Sequence, residues 1–178
     1  YPWSIPHFYV GSNKDWDIKI CSSMGPDCGS TSVKVIEEQI GVILPKDHPL
    51  CALPEITMND LTGYDMISLN QADSITKIIS AYCKNADMNP NITMYVETPS
   101  IMCELIERGF GIAFSPQCTG YSFYRDRLEF RLIEDMPMRH YVHMVMNTKK
   151  LITQELQCCY NAIAKYYMDH AEKFNTTR

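Results

Sequence analysis

Short runs of apolar residues alternate along the chain with segments whose apolar positions recur every three or four residues. The first pattern is typical of buried strands and the second of helices. Strands are predicted at 17–21, 33–44 (two strands divided near Glu37-Glu38), 66–69, 93–96, 111–114, 128–133 and 140–146. Helices are predicted at 74–85, 99–108 and from 153 to about 173. This alternation predicts an α/β fold with a largely parallel sheet.

The clearest local pattern lies between residues 97 and 116. Thr98 can accept a hydrogen bond from a free N–H of the first helical turn, and Pro99 suits the first helical position. Gly109 can end that helix in a left-handed conformation, and Gly111 permits a close approach before the next strand. Such a helix presents its positive N-terminus at the carboxyl end of a strand, where open α/β sheets bind ligands. An ordinary packing unit is the alternative interpretation.

A second pattern lies between residues 42 and 69. An apolar run ends at the polar turn LPKDHPL (44–50), and a short helical turn in ITMNDLTG (56–63) stops at a glycine before the next strand. Together with DIKI (17–20) and ELIERGFGIAFSP (104–116), these segments resemble, in the same order, the effector-binding domain of LysR-type bacterial transcription regulators. The resemblance extends from about Asp17 to the C-terminal helix.

The resemblance implies an architecture of two Rossmann-like α/β lobes joined by a two-strand hinge, like that of type 2 periplasmic binding proteins. The first lobe would comprise 1–63 and 148–178, and the second 64–147. The family domain normally opens with a further strand and helix. We expect this opening strand and helix to be missing, because residues 1–10 match the second strand of the family domain, although imperfectly. The helix that should follow the second strand is expected to be missing as well, because residues 11–14 are too few to form it.

The resemblance also implies a ligand site in a cleft between the lobes, lined by strand ends and helix N-termini. Asp73 or Ser74 is expected to cap the helix that begins near residue 74. The candidate effector-binding residues are Ser22, Ser23, Asn70, Gln71, Ser74, Thr98, Pro99, Ser100, Pro116 and Gln117. Their hydroxyl, amide and free N–H groups favour a small anionic or polar metabolite. The alternative is that Thr98 and Ser74 only cap their helices.

The family resemblance further implies a homodimer or higher homo-oligomer, a cytoplasmic location, and DNA binding only through a separate N-terminal winged helix-turn-helix. A net charge of −5 agrees that residues 1–178 themselves do not grip nucleic acid. Hydrophobic residues make up 46% of the chain, as in folded domains, yet no apolar run reaches the roughly 18–20 residues of a membrane span. No signal peptide is visible.

Catalytic and metal-binding patterns are weak in this sequence. The eight cysteines form no CxxC pair, so we expect free thiols, with redox sensing by Cys21 and Cys28 or Cys118 as an alternative. His140 and His143 should point to opposite faces of one strand, which disfavours a shared metal. Glu37-Glu38 and the arginines at 125, 127 and 131 are interpreted as solvated groups. We therefore expect no enzymatic activity, cofactor or metal.

Two rival functions remain open at this point. A free-standing solute-binding protein of a transporter would share the fold and the pocket, and an upstream signal peptide would favour it. A small α/β enzyme with a cysteine nucleophile would show one thiol that reacts far faster than the others.

Overall fold

The computed structural model describes residues 8–10, 16–26, 32–120 and 124–170. The strands are β1 (Phe8–Val10), β2 (Ile18–Ser23), β3 (Ser32–Pro45), β4 (Met66–Leu69), β5 (Ile92–Val96), β6 (Ala113–Pro116), β7 (Leu128–Arg131) and β8 (Met138–Met146). The α-helices are α1 (Ser74–Asn85), α2 (Pro99–Glu107) and α3 (Gln154–Asp169), and short 3-10 helices span Pro49–Ala52 and Asn59–Leu61. The chain divides into two compact units, 1–37 with 140–178 and 38–139.

In the first unit, α3 packs on a sheet that contains β1, β2 and β8. β1 runs parallel to β2, and β2 pairs with β8 in the antiparallel sense, with Ile18 opposite Met146. Apolar side chains of α3 at four-residue spacing, Leu156, Tyr160 and Ala164, join the buried core of the sheet. The Tyr160 hydroxyl donates to the carbonyl of Met144 (3.0 Å), which satisfies the polar end of a buried ring.

In the second unit, β5, β4 and β6 run parallel. Met66 of β4 pairs with Ile92 of β5 and forms a parallel bridge to Ile112, directly before β6. β3 lies antiparallel to both β6 and β7. Buried residues of α2 pack against this sheet around Ile43 and Ile67. Because the three parallel strands end at one edge, the loops that follow them lie together there.

Several predicted elements differ from those of the structure. Residues 33–44 were predicted as two strands, but β3 is continuous through Glu37-Glu38. The sheet is mixed rather than largely parallel, because β3 and β8 both pair with antiparallel neighbours. α3 ends at Asp169, and the remainder of the predicted helix, from 171, lies outside the described residues. Residues 11–14, predicted to be too few for a helix, lie outside them as well.

The predicted lobes and the compact units divide the chain at different places. The units change within β3, between 37 and 38, and within β8, between 139 and 140. The predicted lobe boundaries were 63/64 and 147/148. Residues 40–45 of β3 pair with β6 and β7, which explains why 38–63 cluster with the larger unit. The division into lobes stays a prediction.

Two groups that the sequence indicated as solvated are engaged inside the second unit. The guanidinium of Arg131 donates to the carbonyls of Leu50, Cys51, Leu53 and Pro54, at 2.8–3.5 Å. These carbonyls lie in and directly after the short helix Pro49–Ala52, where the C-terminal end of a helix leaves backbone acceptors available to a side-chain donor. Glu38 is completely buried. The interpretation of Glu38 as a solvated residue was wrong.

Candidate functional site

The loops after β4 and β5 are joined at the carboxyl edge of the second unit's sheet. The amide N–H of Asn70 donates to the carbonyl of Val96 (3.0 Å). The side-chain Nδ2 of Asn70 donates to Oε1 of Glu97, also at 3.0 Å. Two of the predicted segments, 70–74 and 98–100, therefore begin side by side.

The first segment leads into α1. Oδ1 of Asp73 accepts from the N–H groups of Ile75 (2.8 Å) and Thr76 (3.4 Å), so Asp73 is the cap and Ser74 is the first helical residue. Oδ1 of Asn70 accepts from the N–H of Ala72 (2.9 Å) and forms a local turn. Gln71 and Ser74 are exposed at this edge.

The second segment leads into α2. Oγ1 of Thr98 accepts from the N–H of Ile101 at 3.4 Å, and Pro99 occupies the first turn, as the sequence predicts. Oγ of Ser100 accepts from the hydroxyl of Tyr124 (3.0 Å). All three predicted residues, 98–100, are exposed. The remaining N–H groups of the first turn give this surface a partial positive charge, which Glu97 partly offsets.

The third segment follows β6 and contains Pro116 and Gln117. The amide N–H of Gln117 donates to the carbonyl of Gln39 (3.0 Å). Oε1 of Gln117 is buried and has no hydrogen-bond partner within the described part of the chain. A buried acceptor without a donor is uncommon in folded proteins, so this oxygen is suited to accept from a ligand or a water molecule.

The turn that follows Gln117 is fixed by Glu38. Its carboxylate accepts from the N–H groups of Cys118 and Thr119 and from the Thr119 hydroxyl (2.6 Å). Burial, and secondly the charge of Glu38, raises the pKa of the Cys118 thiol to about 11. Cys118 is therefore protonated at neutral pH, which makes it a poor nucleophile.

The two predicted serines of the first unit lie inside β2 rather than after it. Oγ of Ser22 is 2.9 Å from Nε2 of His140. Oγ of Ser23 donates to the carbonyl of Gly25 (2.6 Å) and lies 2.9 Å from Nε2 of His143. Both histidines are buried, and each hydroxyl pairs with the Nε2 atom of one of them, while Nδ1 of His143 is buried without a hydrogen-bond partner among the described residues. A role for Ser22 and Ser23 in ligand binding stays a prediction.

A cavity of about 660 Å³ lies within the second unit. Two of the ten candidate residues, Pro99 and Pro116, line it, and it extends beneath α1 to Lys84. The other candidates of this unit lie outside its lining. The edge residues and the cavity are thus neighbouring features.

Three contributors at this edge were missed by sequence reasoning. Glu97 directly precedes the cap Thr98, and this position was a signal that could have been used. Tyr124 and Glu38 are distant in sequence from their partners Ser100 and Thr119, so no local pattern indicates them.

Metal and disulfide chemistry find little support in the described segments. No group of three histidine, cysteine or acidic side chains in them could hold a metal ion. No disulfide bond joins any two of the cysteines in these segments. Within the same segments, no helix combines the length and apolar character needed to cross a bilayer.

The order of elements and the edge just described agree with a comparison of sequence families. The family model of the LysR substrate binding domain matches residues 12–167. The chain belongs to this family. Among curated proteins, the HTH-type transcriptional regulator YybE of Bacillus subtilis is 26% identical over 106 residues, 60% of this chain and 36% of that protein. The chain thus spans about a third of the length of this relative.

Solved LysR-type domains share the fold. The regulatory domain of Synechocystis CcmR, in complex with 2-PG, has a TM-score of 0.73 at 15% identity and covers 91% of this chain and 76% of its own. The effector binding domain of QuiR, in complex with shikimate, has a TM-score of 0.70 at 18% identity and covers 88% and 74%. These comparisons show the α/β architecture of a LysR substrate binding domain.

Proposed function

We propose that this LysR substrate binding domain is the regulatory part of a bacterial transcription regulator, in which a small metabolite controls a separate DNA-binding domain. The match of residues 12–167 to the family carries the proposal. The relative YybE, described as an HTH-type regulator, supports the presence of such a domain in the whole protein. Binding would act by shifting the population between conformations of the regulator.

We propose that the second unit binds the effector at the edge formed by 70–74, 98–100 and 116–117. The contact between Asn70 and Val96 supports a shared surface for the first two segments. The unpartnered Oε1 of Gln117 supports the third, because a donor on the ligand would satisfy it. Ser22 and Ser23 are proposed contacts in the first unit.

The chemistry of this edge favours a small polar or anionic metabolite that also carries donor groups. N–H groups at the start of α2 attract a carboxylate or phosphate. Glu97 and Oε1 of Gln117 are acceptors, so they favour ligand hydroxyl or amine groups. The related domains named above were solved with shikimate and 2-PG. A hydroxylated acid is the class that best fits both kinds of protein group.

The remaining properties of the regulator follow from its family and are proposed with it. We expect a homodimer or higher homo-oligomer in the cytoplasm, DNA contact only through an N-terminal winged helix-turn-helix, and no enzymatic activity or cofactor. A self-complementary interface is expected for a twofold dimer.

A thermal-shift panel tests the proposal. Hydroxylated carboxylic and phosphorylated acids are added singly to the chain, and the midpoint of unfolding is measured. A ligand at 100 times its Kd stabilises a native domain by about 2.7 kcal/mol, a shift of several degrees. We expect a specific acid of this panel to produce it, and a complete lack of response would contradict the ligand class.

A further inference from the structure

The cavity in the second unit lies between α1 and the parallel sheet. α1 contributes Ile75, Ile79 and Cys83 to its lining. The sheet contributes Met66, Ser68, Ile92, Tyr95 and Phe114. At about 660 Å³ the cavity falls within the range of roughly 300–1,000 Å³ that is usual for small-molecule sites.

The walls of this cavity are mainly apolar, and its charges are confined to one end. Lys84 and Asp87 are the charged residues of the lining, and both are exposed. They are opposite in sign and lie near the C-terminus of α1. An ionised ligand group beneath the middle of α1 would therefore lose water without gaining an opposite charge, which is costly.

Hydroxyl groups give the lining a limited capacity for hydrogen bonding. Oγ1 of Thr76 already donates to the carbonyl of Leu69 (3.2 Å). Ser68, Ser80 and Thr119 also line the cavity, and the Thr119 hydroxyl donates to Glu38. Ser115 and Asn89 line it as well, and the Ser115 hydroxyl donates to the carbonyl of Pro116 (3.2 Å). Because the hydroxyls of Thr76, Ser115 and Thr119 already donate within the protein, an apolar molecule gains free energy by displacing water from the apolar part of the walls.

We propose that this cavity is a second ligand site, which binds an uncharged and mainly apolar molecule, such as an aromatic ring with one or two hydroxyl groups. It is chemically distinct from the polar edge proposed for the effector, although Pro99 and Pro116 adjoin both. The ligand packs beneath α1 against Ile79 and Phe114, and Ser68 is placed to hydrogen-bond its hydroxyl group.

A neutral fluorescent probe tests this site. N-phenyl-1-naphthylamine fluoresces when it leaves water for apolar surroundings, and it is titrated into the 178-residue chain. We expect saturable binding of one probe per chain. Ile79→Trp fills the cavity and should weaken binding at least about tenfold. Lys77→Trp adds the same ring on α1 outside the lining and should leave the affinity within about twofold.

Competition defines the ligand class. 4-Phenylbutan-1-ol should displace the probe at least about tenfold better than 4-phenylbutyrate, which has the same ring and a charge. Thr98→Ala/Ser100→Ala should leave probe binding unchanged, so this test is separate from that of the effector edge. Circular dichroism checks the fold of each variant. Ser80→Phe is a second blocking variant: Ser80 lines the cavity and is exposed, so the larger ring blocks entry without replacing a half-buried side chain.

Three results would overturn the proposal. The first is a lack of saturable probe binding. The second is equal binding by the folded Ile79→Trp or Ser80→Phe variants and the wild type. The third is a fall in probe affinity at the protein concentrations at which light scattering shows that the mass doubles. A second copy of the chain would then cover the cavity.

Discussion

The carboxylate of Glu38 binds Thr119 twice, through its N–H (3.0 Å) and its hydroxyl (2.6 Å). Glu38 lies in β3 at the position where the chain passes from the first compact unit to the second. Thr119 lies in the turn that carries Gln117. Within the second unit, β3 and a segment of the proposed effector edge are thus joined by the buried carboxylate of Glu38.

Replacing Glu38 by Gln should destabilise the second unit. A carboxamide has one acceptor oxygen where the carboxylate has two, and its NH2 group would face backbone donors. We expect a loss of about 2–4 kcal/mol in the free energy of unfolding, measured with urea. Glu37→Gln is the matched control and should cost no more than about 1 kcal/mol, because the ion pair of Glu37 with Lys34 is partly exposed.

The same variant has a chemical readout at Cys118. Loss of the negative charge and opening of the turn should lower the pKa of this thiol from about 11, so its alkylation by iodoacetamide near neutral pH should accelerate. Site-resolved mass spectrometry separates Cys118 from the exposed Cys158. An unchanged Cys118 rate in a folded, destabilised Glu38→Gln variant would argue against the turn-anchoring role.

Arg131 should resist conservative replacement. Its planar guanidinium reaches carbonyls of four residues between 50 and 54, and an ammonium group cannot reproduce that fork. We expect Arg131→Lys to lower the free energy of unfolding by about 1–3 kcal/mol. Arg125→Lys, at an exposed position, should change it by less than about 0.5 kcal/mol. Equal effects of the two substitutions would contradict a stabilising role of the Arg131 guanidinium at these carbonyls.

His48 should make stability depend on pH. Its Nδ1 accepts from the N–H of Leu50 (3.3 Å), and burial lowers its pKa below the ordinary 6.5, against an opposing effect of Asp47. The folded state therefore binds the proton less readily than the unfolded state. The contribution of His48 is complete above pH 6.5 and is lost as the pH falls through the lowered pKa.

Unfolding by urea at several pH values from about 7.5 down to about 5 measures this contribution. His48→Asn keeps an acceptor at the helix cap but does not titrate in this range. We expect the variant to lose less stability than the wild type over the same interval. If the free energy of unfolding fell equally with pH in the variant and in the wild type, His48 would not contribute to the pH dependence.

Two glycines two residues apart should differ sharply in their tolerance of alanine. Gly109 has φ +79° and open space around it, whereas a Cβ on Gly111 (φ +155°) would lie 2.5 Å from the carbonyl oxygen of Asp65. Gly109→Ala should cost about 1–2 kcal/mol from backbone strain alone. Gly111→Ala should cost more, because the backbone at Asp65 and the backbone at position 111 must move apart. Calorimetric unfolding compares the two, and a smaller loss for Gly111→Ala would be inconsistent with this packing.

Local signals in the sequence were sufficient for much of the fold. The bounds of α1, the cap at Thr98 and the roles of Gly109 and Gly111 were predicted from spacing and backbone chemistry, and they are confirmed. Each depends on residues within a few positions of one another. The family resemblance, built from four such segments, is confirmed by the match to residues 12–167.

Groups whose partners are distant in sequence were not predictable in the same way. Glu38 was interpreted as solvated together with Glu37, whereas its partners lie about 80 residues later. The pairing of Ser22 with His140 depends on the register between β2 and β8. A hydrophobic pattern specifies which residues are buried but does not specify which strand lies beside which.

Calorimetric titration of the acid found in the thermal-shift panel tests the central claim most directly. Thr98→Ala/Ser100→Ala removes two groups at the start of α2, and Thr153→Ala removes the equivalent cap of α3, whose Oγ1 accepts from the N–H of Leu156 (3.2 Å). Both variants lose a helix cap worth about 0.5–2 kcal/mol of stability, so Thr153→Ala serves as the control for destabilisation by cap loss. We predict at least about tenfold weaker binding for the double variant and unchanged binding for Thr153→Ala. Wild-type affinity in the double variant would contradict an effector site at the start of α2.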